Sequence, residues 1–184
     1  MSKPTTIKDA LARWEERTKQ EAVKATDIGL QFQYPPIEKM DPTLNTLVEC
    51  NKLSLSSNMI EKISGIGSMK NLRVLSLARN NLKSINGIES LADTLEELWV
   101  SYNIIEKIKP IESMKALRVF YVSHNLIKDW VEFMRMAIPP NLAEISFLGN
   151  TLHESMDSSV FNAEAIRRLP NLKKLDGDPV IRNV

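Results

Sequence analysis

The sequence predicts an α/β solenoid: a parallel β-sheet on one face, helical or 3₁₀ turns on the other, and helical caps at both ends. Three observations carry this expectation. Residues 95–103 read Leu-Glu-Glu-Leu-Trp-Val-Ser-Tyr-Asn, the leucine-rich-repeat form L-x-x-L-x-L-x-x-N with Val100 at the third apolar position. Residues 50–58, 72–80, 117–125 and 142–150 have the same shape, and their closing asparagines stand at 58, 80, 103, 125 and 150, with gaps of 22, 23, 22 and 25. Between them runs a second apolar ladder at three-residue spacing, such as Ile105, Ile108, Ile111 and Met114. No single coil can bury both ladders, whereas stacked coils can.

In order along the chain, residues 6–26 are expected to form an N-terminal capping helix. Ile7, Leu11 and Trp14 share one face, and Thr6 with Asp9 resembles a capping box. The other face is charged, with Lys8, Arg13, Glu16, Arg17 and Lys19, as an element covering a solenoid end requires. Residues 27–49 read as a degenerate first repeat. Ile28, Leu30 and Phe32 alternate like a strand, Pro35 and Pro36 turn the chain, and Ile37, Met40, Leu44 and Leu47 fall at the convex apolar positions.

The regular repeats span 50–161. Strand alternation sends Leu53 and Leu55 inward and Ser54 and Ser56 outward. The return ladders suit 3₁₀-like turns. Each closing asparagine is expected to be buried, where an unpaired amide would cost roughly 1–3 kcal/mol, and to bridge backbone groups of its own coil and the next. Residues 162–184 complete the domain as a C-terminal cap: a helix near 162–169, a short strand, and a turn at Asp176 and Gly177.

The 184 residues are 43% hydrophobic and 26% charged, with a net charge of +1, which favours neither nucleic acid nor a membrane. No apolar run approaches the roughly 18–20 residues of a transmembrane helix, and the first residues open a charged helix rather than a signal peptide. Cys50 is the single cysteine, so no internal disulfide forms; a reducing, intracellular compartment is expected. Cys50 takes a core position and reads as a buried, inert thiol. His124 and His153 lack metal-ligand spacing, and His124 is expected at a solvated rim. No catalytic residue, metal or cofactor is expected, and the chain does not read as an enzyme.

Function is expected on the outward strand face. Its rows are Lys52-Ser54-Ser56, Val74-Ser76-Ala78, Glu97-Trp99-Ser101, Val119-Tyr121-Ser123 and Glu144-Ser146-Leu148. Trp99 and Tyr121 lie on neighbouring strands with Val74 and Val119 beside them and Tyr102 at the rim. An apolar patch of this kind, within a mixed-charge rim that includes Glu97, suits protein recognition rather than nucleic acid. The candidate contact residues are Val74, Glu97, Trp99, Tyr102, Val119, Tyr121 and Leu148. A second candidate is the basic C-terminal end, with Arg167, Arg168, Lys173, Lys174 and Arg182.

Several stretches are more specific than the repeats. They are 5–10 with Arg13, Trp14, Glu15 and Glu16; the Pro35-Pro36-Ile37-Glu38-Lys39-Met40-Asp41 block; 94–103; and Leu172-Lys173-Lys174-Leu175-Asp176-Gly177 with Pro179 and Val180. On these the chain resembles the leucine-rich-repeat light chains of axonemal outer-arm dynein. The central repeats alone also resemble phosphatase-regulatory and RNA-processing adaptors. The dynein resemblance implies a non-catalytic subunit, monomeric within a larger complex, at the cytoskeleton of the ciliary axoneme and in the cytoplasm. It implies binding to a dynein heavy chain near the microtubule-binding stalk tip, contact with tubulin, and tuning of motor output and ciliary beating. By position, the Trp99 face would meet the heavy chain, and Arg167, Arg168 and Arg182 would meet tubulin or a second heavy-chain surface. Thr151 stands where relatives commonly carry proline.

Overall fold

The coils stack because each carries apolar side chains on both its outgoing and its returning limb. In the computed structural model, which describes residues 2–182, eight short strands form one sheet in chain order. They are β1 (Asp27–Gly29), β2 (Lys52–Ser54), β3 (Val74–Ser76), β4 (Glu97–Trp99), β5 (Val119–Tyr121), β6 (Glu144–Ser146), β7 (Lys174–Leu175) and β8 (Asp178–Pro179). All neighbours are parallel except the final hairpin, β7 with β8. The register is unbroken: Ile28, Leu53, Leu75, Leu98, Phe120, Ile145 and Leu175 form one inward column. The ladder Ile60, Ile63, Ile66, Met69 and its counterparts bury against it from the convex side. Convex turns include the 3₁₀ segments Ile88–Leu91 and Lys109–Ser113 and the short helix α2 (Trp130–Phe133).

The asparagines form a second ladder, directed opposite to expectation. Asn80 Nδ2 donates to Leu55 O at 3.0 Å and Leu77 O at 3.1 Å, and its Oδ1 accepts from Ile60 N at 2.9 Å. Asn58, Asn103, Asn125 and Asn150 repeat the pattern. Each amide bridges its own coil to the preceding one, not the next. The reason is that the free backbone N–H at that height belongs to the coil before. At the last coil Asp176 takes the role, its Oδ1 accepting from Phe147 N at 2.6 Å and Leu148 N at 3.0 Å.

At the N-terminal end, helix α1 (Ile7–Thr18) buries Ile7, Ala10, Leu11 and Trp14 and carries both bonds of the Thr6–Asp9 capping box. It stops well short of residue 26. The Thr18 hydroxyl donates to Trp14 O, the Glu15 carboxylate captures Ala22 N at 2.7 Å, and Lys19 turns left-handed, so local bonds outcompete a further turn. Phe32 also departs from the strand alternation. Ile28 and Leu30 bury, but Phe32 takes a φ of 59° at the turn and is 80% exposed.

At the C-terminal end the expected polar stretch after Asn150 is helical. Helix α3 (Thr151–Glu154) precedes the boundary placed at 162, and helix α4 (Ser158–Arg168) runs across it. Phe161, Ala165 and Leu169, spaced by four, set the buried face of α4, and Phe161 packs among Trp130, Phe133 and Phe147. The Asp176–Gly177 turn closes the sheet as expected, with φ of 48° and 88° at its two residues. Among the described residues, no helix is long and apolar enough to cross a membrane.

Candidate partner-binding site

Because β4 and β5 are in register, Trp99 stands directly beside Tyr121, and both project from the outer strand face. Their rings stack with centroids 5.9 Å apart and planes at 28°. Lys52 Nζ lies over the indole at 5.3 Å. Trp99 Nε1 donates to Glu97 Oε2 at 3.1 Å, and the Tyr121 hydroxyl donates to Glu144 Oε1 at 2.6 Å. That carboxylate pushes the Tyr121 phenol up to about 12, with burial adding to the effect. Lys174 Nζ sits 3.4 Å from the same Glu144 oxygen.

The aromatic pair is therefore half-buried and fixed, with its polar tips already satisfied. A partner would meet ring surface over a floor of serines, with the indole N–H and the phenol O–H already engaged. Val74 is partly exposed beside the pair. Val119 is not an open contact: at 8% exposure it is buried between Glu97 and Glu144, whose carboxylates fold in toward the two rings. Leu148 is exposed on the last row, away from the pair.

Tyr102 lies on the edge of the solenoid rather than among these rings. It stacks on His124 with centroids 4.3 Å apart, and the Arg79 guanidinium covers it at 4.2 Å. His124 is thus partly covered, not freely solvated, and it packs against Gly149, where a Cβ would meet its Nδ1 at 2.3 Å. Cys50 is buried, and burial pushes its thiol up to about 11.

The basic C-terminal residues are not a free cluster. Arg182 donates to Ile166 O, Leu169 O and Leu172 O, capping the end of α4. Arg168 packs over Trp130 at 4.5 Å and pairs with Glu164 at 3.2 Å. Arg167 also pairs with Glu164, which holds that carboxyl below the usual range, but its side chain stays largely exposed.

Two features escape a strand-by-strand reading. Glu132 is buried on the convex side, accepting from Ile108 N at 2.9 Å and Arg135 Nε at 3.0 Å. Exposed apolar side chains gather where the coils turn, at Phe32, Tyr34, Met59, Ile104 and Leu126. Their signal is columnar: Met59, Ile104 and Leu126 each follow an asparagine, and Phe32 and Tyr34 flank Gln33 at the equivalent turn of the first coil.

Comparison with known proteins decides the family. The chain is 60% identical to Dynein axonemal light chain 1 of Danio rerio, covering 99% of this chain and 95% of that protein. Identity to the Homo sapiens protein of the same name is 60% over 99% of this chain and 96% of that one. This chain belongs to the axonemal dynein light chain 1 family. Its Chlamydomonas reinhardtii relative is 55% identical over 98% of this chain and 93% of that protein. A family model described as Leucine Rich repeats (2 copies) matches residues 49–90 of this light chain. Among solved structures, the Drosophila melanogaster SNF/U2A' complex matches with a TM-score of 0.67 over 79% of this chain and 87% of that chain. A Listeria monocytogenes internalin matches with a TM-score of 0.64 over 79% of this chain and 39% of that chain. Both are 18% identical and share the fold alone.

Proposed function

We propose that this chain is a non-catalytic regulatory light chain that binds a dynein heavy chain of the ciliary axoneme through its outer strand face. The observation that carries the reading is the fixed Trp99–Tyr121 pair on an otherwise serine-floored sheet, in a chain of the axonemal light chain family. Rigid aromatic anchors lose little conformational entropy on binding and make efficient hot spots. The bound segment lies near the microtubule-binding stalk tip, and binding tunes motor output and beating. Trp99→Ala with Tyr121→Ala should leave the fold intact and lower heavy-chain co-purification from axonemal extracts at least about tenfold, as loss of hot spots worth ~2 kcal/mol or more requires. Unchanged recovery overturns the assignment of this face.

Contact with tubulin is a second reading, supported by the exposure of Arg167 at the C-terminal end. Arg168 and Arg182 have structural work of their own, so Arg167→Glu is the clean probe. It should weaken microtubule co-sedimentation of the complex, most visibly at low salt. No change would leave Arg167 as the solvated partner of Glu164.

A further inference from the structure

Exposed apolar side chains line the edge where the coils turn out of the strand face. Phe32 and Tyr34 are 80% and 89% exposed there, and Met59, Tyr102, Ile104 and Leu126 lie between 41% and 47%. Met59, Ile104 and Leu126 are the residues immediately after their asparagines, with Asn81 between them in the same column. A backbone ladder holds this column rigid: Met59 N, Asn81 N, Ile104 N and Leu126 N each donate to the preceding coil, at 2.9, 2.9, 3.0 and 2.8 Å. At its N-terminal half the column borders an open cleft of about 480 Å³ in which Met59 stands among Glu38, Lys39, Glu61 and Lys62.

A column of charge runs beside the apolar one. The third residues after Asn58, Asn80, Asn103 and Asn125 are Glu61, Lys83, Glu106 and Lys128, all exposed, so the sign alternates over these four coils. None of the four is ion-paired among the described residues. Hydrogen-bonded coils repeat at about 4.8 Å, and an α-helix turns every 5.4 Å. Across the three steps from Met59 to Leu126 the two rulers differ by only about 2 Å, within side-chain reach.

We propose that this edge is a second docking surface, and that its occupant is an amphipathic helix of a partner protein. That helix lies along the solenoid and sets an apolar stripe on Met59, Ile104 and Leu126. Charges flanking its stripe alternate in sign from turn to turn, opposing Glu61, Lys83, Glu106 and Lys128. A helix with uniformly acidic or basic flanks would place like charges against half of that column. The proposal does not depend on the Trp99 face, since Trp99 belongs to another surface.

The test uses the full chain and three synthetic helical peptides with one apolar stripe. Their flanks are alternating Lys and Glu, all Glu, or all Lys. Fluorescence anisotropy should show the alternating peptide binding at least about tenfold more tightly than either uniform one. Ile104→Glu with Leu126→Glu should abolish that preference without lowering the melting temperature, because both side chains are already exposed. Trp99→Ala with Tyr121→Ala should leave peptide binding unchanged while still testing heavy-chain recovery separately. Equal binding of the three peptides overturns the proposal, as does loss of binding in the Trp99 and Tyr121 variant alone. Sedimentation velocity supplies the last arm: self-association removed by the edge substitutions, without peptide competition, would assign the edge to a second copy and overturn it.

Discussion

Removing one asparagine from the middle of the ladder tests what joins the coils. Asn103 Nδ2 donates to Leu77 O and Val100 O, both at 3.0 Å, and its Oδ1 accepts from Leu82 N at 2.9 Å. In Asn103→Ala the two carbonyls do not become orphans. Leu77 O still accepts from Asn80 and Val100 O from Asn125, at 3.1 and 3.0 Å. The buried Leu82 N–H has no such reserve. The expected loss is therefore about 1–3 kcal/mol for that orphan, plus about 0.5–1.5 kcal/mol for each of the other two bonds, or roughly 3–4 kcal/mol centrally. Denaturant unfolding should show this as a lower midpoint with an unchanged slope. Hydrogen exchange should show lost protection at Leu82 first. Asn103→Asp separates the contributions, since it keeps the acceptor for Leu82 N but aims an anion at two carbonyls. It should be at least as damaging near neutral pH and recover partly in acid. A loss below about 1 kcal/mol with Leu82 still protected would refute the argument that the amides tie the coils together.

Other substitutions probe separate links. Gly149→Ala forces a Cβ to 2.3 Å from His124 Nδ1 at a φ of 78°, so it should displace the ring, loosen the Tyr102–His124 stack and lower stability by about 1–3 kcal/mol, read by thermal melting. The Cys50 thiol, raised from 9.0 to about 11, should resist thiol reagents until the chain unfolds. Its folded-state value is the higher one, so the stability it contributes is present below pH 9.0 and fades as pH rises toward 11; Cys50→Ala should lose that part of the alkaline decline. Tyr121, raised from 10.0 to about 12, likewise favours the folded state below pH 10.0 and loses that preference toward 12. Glu144→Gln should bring its ultraviolet titration back toward 10.0, with Tyr121→Phe identifying the signal.

The array was legible because its cause is periodic. Alternation in 98–100 states which way Leu98, Trp99 and Val100 point, and five closing asparagines in near register state that coils stack. Parallel register then places Trp99 beside Tyr121 with no further information. What periodicity does not encode is where a side chain ends once neighbours compete for it. Arg182 reads as a surface cation, yet the carbonyls of Ile166, Leu169 and Leu172 claim it. Val119 occupies an outward position, yet it is buried between its register partners Glu97 and Glu144. Helix α1 fits one apolar face through Ala22 and Ala25, yet Glu15 captures the Ala22 N–H and ends it.

The turning edge lies between these cases. Along the chain, Met59, Ile104 and Leu126 are isolated apolar residues in polar loops, and single exposed residues of that kind carry no information. Only the fold turns a repeat of 22 to 25 residues into a step of about 4.8 Å, which gathers them into a ridge. The same transformation brings Glu61, Lys83, Glu106 and Lys128 into a column whose sign pattern no window of sequence contains. In a solenoid, then, recognition surfaces should be sought down the columns of stacked repeats, including the columns that flank a buried residue. The Trp99 face and the asparagine edge are two such columns on one rigid body, so separate substitutions at Trp99 and Ile104 test the two proposed surfaces independently.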